Sequence, residues 1–176
     1  MKAFLLFLIL ATVSIAAEPT SGTFKSKAYG CQIRYPIDLK SFKIQDKDNL
    51  LNLYGSLKGE KLEFNLTINK DPSFKTETPK EFTTGFTQEI VERMASLRFE
   101  NAKVNALDTN FVLDGQPAVF MILSGLIDGH KRTTVSISAL HGGILYTLKW
   151  DMATEAVPGF SKDIYSMADS FHHTAK

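Results

Sequence analysis

The chain has 176 residues, 44% of them hydrophobic and 22% charged, with 20 Lys and Arg against 19 Asp and Glu. That balance argues against nucleic acid or an anionic membrane as the main partner, because both attract proteins through concentrated positive charge. The single cysteine, Cys31, excludes an intramolecular disulfide, so stability must come from packing.

The first residues set the address. Lys2 is followed by the apolar run Ala3–Leu10, and small residues close the segment at Ser14-Ile15-Ala16-Ala17. This is the pattern of a cleaved secretory signal peptide over residues 1–17, and the run is shorter than the ~20 residues a membrane-spanning helix needs. Removing Lys2 from the 20 basic residues leaves 19, equal to the 19 acidic ones. Cys31 lies too far from the leader, after Ala28-Tyr29-Gly30, to serve as a lipid-attachment cysteine. A periplasmic or secreted protein without a stable membrane anchor is therefore expected.

Residues 18–22 read as a flexible start. Phe24 to Pro36 suits two short strands around Gly30, with Cys31, Ile33 and Tyr35 alternating on one face and Pro36 ending the ladder. Residues 37–48 are mixed and charged, a loop or a short helical turn. Leu50–Tyr54 and Lys61–Asn69 follow as strands about a turn at Gly55–Gly59, with Leu62, Phe64, Leu66 and Ile68 on one face of the second. Asn65-Leu66-Thr67 is a formal glycosylation sequon, but it falls inside that strand.

Thr78-Pro79-Lys80-Glu81 is a helix-starting capping box with proline at the first helical position. Phe82, Phe86, Ile90, Met94 and Leu97 then recur at spacings of four, four, four and three, which predicts one helix with a core-facing apolar stripe. Beyond it, Asp114-Gly115 marks a tight hairpin, and Ala118–Leu123 is apolar throughout, as in a strand buried on both faces. Asp128-Gly129 turns the chain into the alternating run Thr134–Ala139. His141-Gly142-Gly143 then turns it into Ile144, Tyr146, Leu148 and Trp150, completing a meander. Pro158 opens a last helix with Phe160, Ile164, Met167, Ala168 and Phe171 on one side, and residues 172–176 carry no core pattern and are expected to fray. The expected class is α+β: an antiparallel sheet of six to eight strands sandwiched between α-helices, in one domain over residues 23–171 with a tail at 172–176.

Several stretches resemble the PsbP-like fold family, which includes the extrinsic photosystem II protein PsbP, Ran-binding Mog-type proteins and bacterial DcrB-like envelope proteins. They are Tyr29-Gly30-Cys31-Gln32-Ile33-Arg34-Tyr35-Pro36, Leu113-Asp114-Gly115-Gln116-Pro117-Ala118, His141-Gly142-Gly143-Ile144-Leu145-Tyr146 and the closing Ser170-Phe171. The resemblance covers about residues 24–171. It implies a non-enzymatic binding or assembly module that docks on a protein partner, with no shared catalytic residue to transfer.

The residues themselves carry little chemistry. There is no Gly-x-Ser-x-Gly elbow, His-Glu-x-x-His, Cys-x-x-Cys or phosphate-binding glycine loop. Cys31 and His141 could approach as a nucleophile and base, but a small residue on an alternating strand reads better as a buried thiol. His172-His173 are adjacent, so on a helix they would diverge rather than chelate, and His130 reads as an exposed turn residue. Asp46, Asp48, Asp114 and Asp128 all fall in predicted loops. No residue is assigned a catalytic, cofactor-binding or metal-binding role, and no cofactor is expected. The leading expectation is an envelope protein as partner, met through loops 37–48, 70–78 and 126–131 with Lys40, Lys43, Lys47, Lys70 and Lys75 nearby. The alternatives are a small apolar ligand held between sheet and helices, and an enzyme centred on Cys31.

Overall fold

The computed structural model describes residues 21–41, 48–57 and 59–174. The leader, Lys43, Asp46 and Lys47 lie outside the described residues. Two strands open the fold, β1 (Ser21–Ser26) and β2 (Cys31–Pro36), paired antiparallel from Ser21 opposite Pro36 to Ser26 opposite Cys31. The expected flexible start thus ends sooner than residue 22, because Ser21 and Gly22 already belong to a ladder.

Next come β3 (Lys40–Ser41), β4 (Asn49–Leu57) and β5 (Glu60–Asn69), with β4 antiparallel to β3 and β5 antiparallel to β4. A 3-10 turn at Pro72–Lys75 leads to helices α1 (Pro79–Thr84) and α2 (Gln88–Arg98). The long strands β6 (Glu100–Leu113), β7 (Gln116–Ile127), β8 (His130–His141) and β9 (Ile144–Ala153) form the meander. Helix α3 (Val157–Asp169) and a short strand β10 (His172–His173) complete the chain. The main sheet has seven strands in the order β3-β4-β5-β9-β8-β7-β6, and a second sheet has the order β1-β2-β10. Both are antiparallel throughout.

The turns of the meander follow from their residues. Asp114 and Gly115 have φ of 50° and 76°, Asp128 and Gly129 have 51° and 75°, so each two-residue link takes the doubly left-handed form that matches strand twist.

Strand β7 carries the two-sided core that its unbroken apolar run predicts. Val119, Met121 and Leu123 pack with Phe82, Val91, Ala95 and Phe99 of the α1–α2 layer. Ala118 and Phe120 face the other way, into a larger cluster with Trp150, Phe64, Phe160, Ile164 and Met167, which also takes in Cys31 and Ile33 of the small sheet. The sheet therefore lies between helices, as expected. Among the described residues, no helix is long and apolar enough to cross a membrane.

Two further expectations are corrected. The single helix after Thr78 is two. The capping box forms, with Thr78 N–H donating to Glu81 Oε2 at 2.8 Å and Glu81 N–H to Thr78 Oγ1 at 3.2 Å, but α1 ends at Gly85 and Thr87 caps a new helix through the Ile90 N–H. This break rotates the second helix, so Val91 and Ala95 face the sheet while Ile90, Met94 and Leu97 are 47%, 40% and 84% exposed. The fraying tail is the other correction: His172 and His173 pair with Gln32 and Cys31, and the Thr174 N–H donates to the Gly30 carbonyl at 2.8 Å.

Where α2 turns into β6, the backbone crosses β7 at Gly125. A Cβ there would lie 2.4 Å from Phe99 Cβ and 2.7 Å from the Glu100 carbonyl oxygen. Gly125→Ala should therefore destabilise the protein by about 2 kcal/mol through overpacking. Urea denaturation checks this, and an unchanged midpoint would show that the crossing relaxes freely.

Candidate functional site

The chemistry-bearing side chains gather where the small sheet meets the hairpin ends of the large one. Asp114, in the β6–β7 turn, accepts a hydrogen bond from His172 Nδ1 at 2.9 Å, one from the His173 backbone N–H at 2.6 Å and one from His173 Nδ1 at 3.1 Å. The His173 ring stacks on His141 from the end of β8, with centroids 4.0 Å apart and planes 20° from parallel. Tyr146 and Phe171 present ring contacts near perpendicular to it, at 4.8 and 5.0 Å. The Tyr146 hydroxyl donates to the Tyr29 carbonyl at 2.6 Å, and Lys70 Nζ lies 4.3 Å from the centre of the Tyr29 ring. A surface cleft of about 480 Å³ opens over this group, lined by Tyr29, Gly30, Asp114, His141, Gly142, Ile144, Tyr146, His173 and Thr174.

The electrostatics follow from burial. The His173 side chain is 6% exposed. Burial, reinforced by the neighbouring His141, pushes its pKa down to about 4 against the opposing pull of Asp114. Burial alone would raise the Asp114 carboxyl, but the hydrogen bonds from His172 and His173 and the charge of the two imidazoles together hold it below the usual range. An ionised carboxylate only accepts, so both imidazoles place their protons on Nδ1. The Nε2 of neutral His173 is then a lone pair, buried and without a hydrogen-bond partner among the described residues.

The expected Cys31–His141 pairing takes another form. His173, not His141, stands opposite Cys31 across the β2–β10 ladder. Asp114 orients that imidazole as a nucleophile's base would be oriented, yet Cys31 is 1% exposed and burial pushes its thiol up to about 11. Catalysis needs the reverse, an accessible thiol with a lowered pKa, so the geometry is that of a packed structural thiol. Burial, and then Cys31, likewise push the Tyr146 hydroxyl up to about 12.

The other sequence candidates are dispersed. Asp128 lies in the β7–β8 turn beside His130, which is exposed at the start of β8. Asp48 begins the segment leading into β4. Lys75 sits at the end of the 3-10 turn, against the β8–β9 hairpin at Gly143. Lys40 is exposed on β3. Asn65 is buried and donates to Glu63 Oε1 at 3.2 Å, which leaves the sequon without an accessible amide. Among the described residues, no three His, Cys, Asp or Glu side chains are placed to hold a metal ion, and the stacked rings of His141 and His173 face one another instead of converging on a point. Between the main sheet and α3, the side chains of Trp150, Phe64, Phe160 and Phe171 are fully buried, so an apolar ligand there would have to displace them.

What the sequence concealed is the outer face of α2. Ile90, Met94 and Leu97 form an exposed apolar row, and Arg93, three residues after Ile90 and four before Leu97, stands exposed beside it.

No protein-family profile matches the chain, and neither does any curated protein sequence. Solved structures do. The solution structure of cyanobacterial PsbP (CyanoP) from Synechocystis sp. PCC 6803 superposes with a TM-score of 0.64 at 15% identity, covering 93% of this chain and 98% of that one. A mutant of the protein Mog1 gives 0.57 at 9% identity, with 89% and 97% covered. LpqN, involved in cell envelope biogenesis of Mycobacterium tuberculosis, gives 0.53 at 10% identity, with 91% and 88% covered. The sequence resemblance and the three-dimensional match agree: the chain has the PsbP-like α+β fold.

Proposed function

We propose that this protein is an exported, non-enzymatic binding module that docks on an envelope protein through the outer face of α2. The row Ile90–Met94–Leu97 carries the reading. Contiguous large apolar side chains on the surface of a soluble domain mark an interaction site, whereas scattered ones do not. Arg93 at the edge of the row suits a partner with an apolar patch and a carboxylate to meet the guanidinium. The leader and the similarity to an envelope-biogenesis protein support the location. The buried, unactivated Cys31 supports the absence of catalysis. On this reading the contact surface is a helix face and not the lysine-bearing loops that the sequence favours.

The test compares wild type with an Ile90→Ser/Met94→Ser/Leu97→Ser variant, both tagged at the N-terminus of the mature chain. Each is used for capture from cross-linked envelope of the source organism and then for direct binding to the purified captured protein. One stoichiometric partner should bind wild type and lose at least tenfold in affinity for the variant, whose melting temperature should not fall. A partner that binds both alike, or a wild-type chain that captures none, would overturn the proposal.

A further inference from the structure

We infer that residues 172–174 form an acid-sensitive latch, which closes the free edge of β2 at neutral pH and leaves it in mild acid through the stacked imidazoles of His141 and His173, while Phe171 keeps its place in the core. The seam starts at a fixed point, where the Arg34 N–H donates to the buried Ser170 Oγ at 2.9 Å. From there His172 and His173 pair with Gln32 and Cys31, and the Thr174 N–H reaches the Gly30 carbonyl. Its side-chain anchor is Asp114, from the opposite sheet.

Groups from four other elements face His173: Asp114 from the β6–β7 turn, His141 from β8, Tyr146 from β9 and Cys31 from β2. His172 adjoins it on β10 itself, and Lys70 lies beyond, over Tyr29. Tyr146 and Cys31 stay neutral in acid because burial raises both. Asp114 is the single carboxylate among them. Protonating His173 therefore puts positive charge into a ring held face to face with a second imidazole, inside a pocket that desolvates it and with one carboxylate to offset the charge.

The sign is fixed by linkage. His173 has its pKa lowered from 6.5 to about 4, so the open state binds more protons than the closed one as soon as pH falls below about 6.5. The closed state is favoured in full above that value and loses ground down to about pH 4, where the two states titrate alike. At pH 5 the shift corresponds to a roughly twentyfold gain in the open population relative to pH 7. Asp114, held low, pushes the same way only in stronger acid. Opening exposes a row of unpaired backbone groups on β2, a surface that can accept a strand from another chain.

Cys31 and Trp150 are the only residues of their kinds, and each is buried, which gives two independent reporters. The labelling rate of Cys31 by a pyridyl disulfide that reacts in acid, normalised to a free thiol, should rise roughly twentyfold between pH 7 and pH 5. Trp150 emission should stay constant over the same range. His141→Phe keeps the ring stack and removes one charge, so it should shrink the rise, and His173→Phe should abolish it. A flat labelling rate, Trp150 emission that moves with the labelling, or a rise unaltered by His141→Phe would each overturn the latch.

Discussion

Trp150→Ala should lower the unfolding free energy by about 3–5 kcal/mol, a large part of what a domain of this size has. Trp150 sits on β9 between Phe64 of β5 and Val135 of β8, its register partners on either side, and is fully buried. Its ring centroid is 5.1 Å from that of Phe64, and its indole N–H points at the Met167 sulfur of α3 at 3.5 Å. One side chain therefore joins three strands and a helix, and no neighbour can move into its place without breaking a ladder. Trp150→Phe should cost clearly less, since it keeps an aromatic ring against Phe64. Urea unfolding followed by far-UV circular dichroism measures both. A loss below about 1 kcal/mol for the alanine variant would mean that the core collapses around the hole, contrary to the packing described.

The second large effect is asymmetric. Arg98, the last residue of α2, donates from Nη2 to Asp151 Oδ1 at 2.7 Å and from Nε to Thr134 Oγ1 at 3.0 Å. The Thr134 hydroxyl itself donates to Asp151, and Lys149 Nζ lies 3.5 Å from the other carboxylate oxygen. Arg98 is 37% exposed along its side chain, whereas Asp151 is 10% exposed. Removing the aspartate leaves a guanidinium that can turn to water. Removing the arginine leaves a desolvated carboxylate with a hydroxyl and a longer lysine contact. Arg98→Ala should therefore cost about 3 kcal/mol, and Asp151→Ala only about half as much. The double variant should fall short of the sum. Equal losses from the two single variants in the same urea titration would refute the asymmetry.

The contrast between α2 and the meander shows what a sequence can disclose. Asp114-Gly115 and Asp128-Gly129 are local signals, read correctly because two adjacent residues contain the whole of the turn. The stripe Phe82, Phe86, Ile90, Met94, Leu97 is also local, but its meaning depends on an unbroken helix. Gly85 and Thr87 together end one helix and cap the next, and the three residues between the helices turn the later part of the stripe outward. Small side chains, Val91 and Ala95, then face the sheet. Their size lets the helix lie close, and nothing in periodicity separates a close-packed small residue from an exposed one.

The histidine cluster was hidden for a different reason. A strand of two residues has no period to detect. Its anchor, Asp114, is 58 residues from His172 and 59 from His173, and its cross-strand partner lies near the start of the fold. Each residue taken singly reads as a turn acid or a tail imidazole. Only the closure of two sheets against each other makes them one site.

That closure also fixes an order of events. The meander joins strands that follow one another in the chain, so its contacts can form as soon as each hairpin has been made. The second edge of β2 waits for Ser170, 136 residues after Arg34, and the core position held by Phe171 waits one residue longer. A chain that emerges amino end first therefore holds an unfinished sheet until residues 170 and 171 have followed. Losing residues 171–173 would remove a core side chain and a strand together, so this segment is a seam of the fold.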